Sequence, residues 1–379
     1  MNYRNFGKTG LRLSALGMGC MRLPLIGGRN ENIDEKAAVA LVRRAIDGGI
    51  NYVDTAWNYH GGNGEPLVGK ALRNGYRQKT FLATKLPAYL VNERRDMDDF
   101  LKRQLQRLET EYIDFYLLHA LNRNTWKTVY ENGVLEFLEG AKKDGRIRFA
   151  GFSFHDDYPV FDRIFRSCDW DFCQIQYNII DIDYQAGKKG LLQAAANGAG
   201  VIIMEPLRGG GLTQNIPENI QAVWNSQPLK RSPADGALSW LWDQPEVGIV
   251  LSGMSTAEQL EENLQIAGRS GTGMLTEEEK ARLAEIRRLY MERIRINCTG
   301  CAYCMPCPHG VDIPGSFQYL NLAAMINNPK EGRRLYNLLV KDKGKAASQC
   351  IACGECLEKC PQRLPIPELL QTVIREFEQ

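Results

Sequence analysis

The sequence has almost no surplus of charge of either sign: 379 residues carry a formal balance of +2. A nucleic-acid or other polyanion partner asks for a strong basic excess, so the balance argues against that class of function. Long apolar runs are missing too. No stretch approaches the ~18 residues of a membrane span, and Met1-Asn2-Tyr3-Arg4-Asn5-Phe6 lacks the apolar core of a signal peptide. The expectation is a soluble, cytoplasmic protein. Cysteine is scarce before residue 298, where only Cys20, Cys168 and Cys173 occur, and dense after it, with eight between Cys298 and Cys360. In a reducing cytosol such crowding means metal more often than disulfides. The dinucleotide fingerprint is incomplete, because Gly17-Met18-Gly19 is followed by Arg22 where a third glycine belongs. A doubly wound sheet is therefore the weaker reading of the alternating pattern below.

At this length one core has normally stopped growing, so two domains are expected. Residues 3–14 read as a hairpin turning at Lys8-Thr9-Gly10, placed to plug the bottom of a barrel. Short apolar runs then predict strands at 15–20, 50–54, 80–85, 114–119, 147–152, 172–177, 200–205 and 247–251. Helical periodicity fills the gaps at 35–48, 65–74, 93–109, 134–144, 157–167, 187–198, 231–243 and 256–267. Gly48, Gly145 and Gly198 stand where helix C-terminal caps belong. Eight strand–helix pairs imply a (β/α)8 TIM barrel, an α/β fold. Thr276-Glu277-Glu278-Glu279 is a capping box that opens a further helix to about Tyr290. The expected division is a barrel over 1–290 and a smaller unit over 291–379.

Three successive strands end in chemistry. Asn51-Tyr52-Val53-Asp54 delivers an aspartate, with Tyr59 five residues on; Thr80–Lys85 closes on a lysine and Asp114–His119 on a histidine. Catalytic groups of parallel barrels collect at such strand ends. A free tyrosine titrates near pH 10, too high for easy proton shuttling. A lysine ammonium beside it favours the phenolate, by roughly 1–3 units. An aspartate can orient the lysine, and a neutral histidine can hydrogen-bond a substrate oxygen. Together they form a tyrosine general acid/base for carbonyl reduction or alcohol oxidation.

In that order Asp54, Tyr59, Lys85 and His119 resemble the catalytic tetrad of the aldo/keto reductases, and the resemblance spans roughly residues 1–290. It implies a nicotinamide cofactor, NADP or NAD, and a small carbonyl or alcohol substrate. It places Cys20, Met21, Arg22 and Asp54 beside the cofactor, and gives the carboxamide to Ser153 and Gln174, with Phe154 where the family has an asparagine. Met204-Glu205-Pro206-Leu207 stands for the family's Tyr-Ser-Pro-Leu, so that Met204 packs where a tyrosine would stack. The run from Ser252 to Asn263 is similar to the adenosine-phosphate loop, implying contacts from Gly253, Ser255, Gln259, Glu262 and Asn263. Gly253 and Gln259 are uncharged where NADP-preferring members often carry Lys and Arg, which weakens the case for NADP.

Cys298, Cys301, Cys304 and Cys307-Pro308 form one cysteine run; Cys350, Cys353, Cys356 and Cys360-Pro361 form another. The second has the spacing of bacterial ferredoxins, and the first has one residue fewer before its last cysteine. Zinc usually takes two cysteine pairs, so two [4Fe–4S] clusters are the preferred reading. In such ferredoxins the fourth cysteine of each run ligates the other cluster. The resemblance therefore implies one cluster on Cys298, Cys301, Cys304 and Cys360, and another on Cys350, Cys353, Cys356 and Cys307. Helical stretches near 315–327 and 331–341 make the unit similar to helical ferredoxin modules.

Nicotinamide moves two electrons as hydride, and a cluster moves one. Either a one-electron carrier protein or a second cofactor completes the circuit, or the clusters are structural or redox-sensing. The alternative function is a sensor or electron-transfer protein whose barrel binds nucleotide with little turnover.

Overall fold

The structure is a computed structural model that describes residues 1–226, 231–298, 300, 304–360 and 363–379. It divides into two compact units, one of Met1–Gly209 with Ser232–Lys280, the other of Gly210–Arg231 with Ala281–Gln379.

In the first unit, β1 (Tyr3–Asn5) and β2 (Arg12–Ser14) form the expected antiparallel hairpin, with Tyr3 opposite Ser14. Eight parallel strands follow: β3 (Leu16–Gly19), β4 (Tyr52–Asp54), β5 (Phe81–Leu86), β6 (Ile113–Leu121), β7 (Ile147–Phe154), β8 (Phe172–Gln176), β9 (Gly200–Met204) and β10 (Ile249–Ser252). They close in sequence order, with β10 pairing both β9 and β3.

The two-residue period of a strand sorts its side chains. Val53, Leu82, Tyr116, Phe152, Cys173, Val201 and Val250 point outward into the core beneath the helices. Tyr52, Ala83, Phe115, Leu117, Phe172, Ile202 and Ile249 point inward and pack together with Phe6 of the hairpin. Phe115 is central, with ring centroids 5.6 Å from Phe6 and 5.1 Å from Phe172, both edge-on, an arrangement aromatic quadrupoles favour. Gly7 brings the hairpin against the sheet floor: a Cβ there would lie 2.4 Å from Gly200 N, and its φ of +49° is itself left-handed. The interior below the strand ends is thus solid, and chemistry is confined to the top layer.

The helices come where periodicity placed them, for example Glu35–Asp47, Arg94–Arg107 and Ala257–Gly268. The Thr276 capping box forms, with Glu279 N donating to Thr276 Oγ1 at 3.2 Å and Thr276 N to Glu279 Oε2 at 2.9 Å. A helix at Arg123–Glu131, between the predicted strand at 114–119 and helix at 134–144, is capped by the Asn122 side chain.

The second unit is helical. Ile313–Met325, Pro329–Leu339 and Ile366–Val373 pack through Phe317, Leu320, Tyr336, Ile366 and Leu370, joined by Phe377 of the turn that follows. The first two begin two residues before their expected starts because Asp312 and Asn328 cap them and a proline follows each cap. A Cβ on Gly332 would lie 2.4 Å from that of Ala323, so only glycine lets these helices approach so closely. Among the described residues, no helix is long and apolar enough to cross a membrane.

Candidate active site and cysteine pocket

Two residues above the inward-facing Tyr52, Ala83 and Leu117 stand Asp54, Lys85 and His119. The alternation that fills the barrel therefore also aims these three into its mouth. Lys85 Nζ donates to Asp54 Oδ1 at 2.5 Å, to Thr55 O at 2.9 Å and to Tyr59 Oη at 3.3 Å. Both ends of the Asp54–Lys85 pair are buried. Burial works to lower the Lys85 pKa, but Asp54 and Tyr59 outweigh it, and the ammonium is held above the usual lysine value. The Asp54 carboxyl is raised by burial, against the pull of Lys85.

Tyr59 differs from its sequence expectation. Lys85 does pull its pKa down, but burial pushes harder and the net direction is up. In this arrangement Tyr59 is a firmly protonated donor. His119, its ring centroid 6.0 Å from that of Tyr59 and roughly edge-on, is driven well below the ordinary histidine range by burial first and the Lys85 charge second. It is neutral at physiological pH, as expected for a group that hydrogen-bonds a substrate oxygen. The β6–β7 register shifts between Leu118 and Leu121, and Ala120 takes a φ of +53°. Irregularities of this kind re-aim side chains beside active sites, and this one flanks His119.

The remaining sequence-predicted residues lie on other strand ends or in the segments that follow them. Ser153 lies opposite Gln174 in the β7–β8 register; its Oγ accepts from Ala120 N at 2.7 Å. Cys20 is buried, its N–H bonded to Asp54 O at 2.8 Å, and burial raises its thiol pKa, whereas Met21 is 52% exposed. Arg22 lies along Gly253 and comes within 3.9 Å of Glu205. Arg208 is paired with Asp181 at 2.9 Å. Met204 and Leu207 are half-buried and Pro206 is buried. In the Ser252–Asn263 run, Gln259 Oε1 accepts from Ser255 N, Asn263 donates to Ser252 Oγ, and Glu262 accepts from Ser232 Oγ.

A polar ligand fits here. Asp54 Oδ2, Thr55 Oγ1, His119 Nδ1 and Gln174 Oε1 are buried without a hydrogen-bond partner among the described residues. Native proteins seldom leave such atoms unsatisfied. Gln174 Oε1, as an acceptor, suits the amide N–H of a nicotinamide carboxamide.

Sequence reasoning passed over His60, Glu65, Gln104 and Arg107. His60, at φ +54°, is buried beside Tyr59; its Nδ1 lies 2.9 Å from Asn30 O and its Nε2 3.1 Å from Cys20 O, which ties the long β3 loop to the site. Gln104 had a legible signal: it is the polar member of the apolar stripe Met97, Leu101, Gln104, Leu108.

In the second unit, Cys304, Cys307, Cys350, Cys353 and Cys356 line one pocket with Ile313 and Leu370. Burial raises the Cys356 thiol, and Cys350, Cys353 and Cys307 add to it, which puts these thiols close to one another. No three His, Cys, Asp or Glu among the described residues converge tightly enough for a single ion. Five thiols lining one pocket suit the thiolate ligation of an iron–sulfur cluster. Cys298 and Cys360 pack on the same helical core; Cys301 and Pro361 lie outside the described residues.

The family model for the Aldo/keto reductase family matches residues 15–288, and that for a 4Fe-4S dicluster domain matches 297–364. The uncharacterized oxidoreductase YqkF of Bacillus subtilis is 29% identical, over 74% of this chain and 94% of its own. The L-glyceraldehyde 3-phosphate reductase of Escherichia coli K12 is 30% identical, over 70% and 87%. Among solved structures, the holo form of aldo-keto reductase AKR11C1 from Bacillus halodurans superposes with a TM-score of 0.64 at 27% identity, covering 76% of this chain and 96% of its own. With a closed eight-stranded barrel and a family match over most of its length, this chain belongs to the aldo/keto reductase family of oxidoreductases and carries a 4Fe-4S dicluster domain after its barrel.

Proposed function

We propose that the protein interconverts a small carbonyl compound and its alcohol with NADP or NAD, using Tyr59 as general acid/base. The observation that carries this reading is Lys85 Nζ placed between Asp54 and Tyr59, at 2.5 and 3.3 Å. A bound nicotinamide supplies or takes up the hydride. In reduction, Tyr59 Oη gives its proton to the carbonyl oxygen as the carbon receives the hydride, so that C=O becomes CH–OH. Lys85, held charged by Asp54, stabilises the phenolate left behind. His119, neutral, hydrogen-bonds the same oxygen. Gln174 and Ser153 hold the carboxamide; Arg22, Gly253 and Gln259 face the rest of the dinucleotide. Two similar proteins with assigned names, the glyceraldehyde 3-phosphate reductase above and an NADH-specific methylglyoxal reductase of E. coli at 26% identity, are both named for small aldehydes, which supports a small carbonyl substrate.

We further infer two working domains, the barrel within residues 1–290 and the cluster unit within 291–379, with two [4Fe–4S] clusters that exchange electrons with a one-electron carrier protein. The cysteine pocket supports at least the Cys350 cluster.

The test is Tyr59→Phe. The ring stays and the proton goes, so carbonyl reduction falls by ~10²–10⁴-fold while nucleotide affinity is nearly unchanged. A variant that keeps most of its turnover overturns the assignment.

A further inference from the structure

Behind Lys85 lies a buried polar assembly that no catalytic step uses. Glu65, Thr84, Gln104 and Tyr116 are all fully buried. Glu65 Oε1 accepts from Thr84 Oγ1 at 2.7 Å and from Gln104 Nε2 at 2.6 Å. Gln104 Nε2 also donates to Lys85 O at 2.9 Å, and Gln104 Oε1 accepts from Tyr116 Oη at 2.8 Å. Glu65 Oε2 faces Arg107 at 3.3 Å. The Arg107 guanidinium in turn lies 3.6 Å over the Trp57 ring and donates to Trp57 O at 3.5 Å.

This assembly joins five pieces of chain, Tyr116 being on β6. Thr84 and Lys85 are on β5, Glu65 opens the helix Gly64–Ala71, Gln104 and Arg107 are on Arg94–Arg107, and Trp57 sits midway between Asp54 and Tyr59. Its two outputs are the backbone of Lys85 and the backbone of the segment that carries Tyr59. A carboxylate taken fully out of water is costly unless it is paired and hydrogen-bonded. Glu65 has both, and a core position with no functional duty is served more cheaply by an apolar side chain. An Arg–Trp stack also fixes the ring of a residue only two positions from Tyr59.

We propose that Glu65, Gln104 and Arg107 are positioning residues that set the Lys85–Tyr59 contact, Gln104 from the lysine side and Arg107 from the tyrosine side. The proposal rests on the role given to Tyr59 above. It predicts that loosening either output lengthens the lysine–phenol contact, costing proton transfer without costing nucleotide binding. Misplacement of reacting groups by about 1 Å can cost on the order of 10²-fold.

The experiment uses Arg107→Ala, Arg107→Lys and Glu65→Gln in the full-length protein with its clusters. Arg107 is partly exposed, so its variants keep the test alive if Glu65→Gln fails to fold. For Arg107→Ala, kcat for carbonyl reduction is expected to fall at least ~10-fold. Nucleotide affinity, read by fluorescence quenching, stays within ~2-fold of the parent. The alkaline limb of the pH–kcat profile moves up, because Tyr59 loses part of the lysine's pull. Arg107→Lys, which keeps the charge but not the planar stack, recovers only part of kcat. A lowered Tm with unchanged kcat and an unmoved limb shows a merely structural role and overturns the proposal. If instead Tyr59→Phe retains activity, the reading of Tyr59 has failed, and the two failures are thereby told apart.

Discussion

Protonation at the mouth of the barrel is decided by competition between burial and charge, and the winner differs from residue to residue. At Tyr59 burial wins over Lys85; at Lys85 the contacts with Asp54 and Tyr59 win over burial. The pH dependence follows from those directions. Reduction needs Tyr59 protonated, so activity is lost as pH rises through a value above the ordinary ~10 of tyrosine. His119 is neutral throughout, so it adds no acid limb between about pH 6 and 8. A pH–rate profile with a descending limb centred near neutrality contradicts this electrostatic picture. Nucleotide preference is also argued here. Gly253 and Gln259 offer no charge to a 2′-phosphate, and the nearby Arg22 and Arg208 already face Glu205 and Asp181. NADPH and NADH affinities are expected to differ by less than about a hundredfold, ~2.7 kcal/mol. A larger measured ratio means that one of these arginines leaves its carboxylate for the phosphate.

Elements were legible wherever period and punctuation agreed. Every barrel strand was visible as an apolar run because parallel strands are buried on both faces, and the catalytic candidates were visible as polar residues ending those runs. Starts of the second-unit helices were misplaced by two residues, since the Asp312 and Asn328 caps outrank apolar periodicity in fixing a helix start. The Arg123–Glu131 helix was missed because its buried side is only Trp126 and Val129, too sparse a stripe to read. The polar assembly behind Lys85 was hidden for a different reason. Glu65 comes from one helix and Gln104 and Arg107 from another, and only the closed barrel brings the two helices to one carboxylate. Sequence reports such partners when they share a helix face and is silent when they meet through tertiary packing.

At the scale of the whole molecule, the second unit poses the sharpest question, because its apolar core is small and its cysteines come from both ends of its sequence. Cys307 closes the first run yet, with Cys304, lines a pocket shared with Cys350, Cys353 and Cys356 of the second. Cys350, Cys353 and Cys307 are also the thiols that add to the raised pKa of Cys356. Three cysteines spaced by two residues can cover one face of a cubane, and the following Cys-Pro carries the fourth thiolate away to the other cluster. The expected ligand sets are therefore Cys350, Cys353, Cys356 and Cys307 for one cluster, and Cys298, Cys301, Cys304 and Cys360 for the other. Each cluster then staples the two ends of the unit across the helices Ile313–Met325 and Pro329–Leu339. Metal-binding free energy in so small a unit is folding free energy. Removing iron with a chelator under anaerobic conditions should melt these helices while the barrel keeps its nucleotide affinity, read by circular dichroism and fluorescence on one sample. A chelated protein that keeps its full helical signal argues that the core folds without its staples. The crossing itself is read from an anaerobic crystal structure: an Fe–S bond from Cys307 to the cluster that holds Cys304 shows that each run closes on itself.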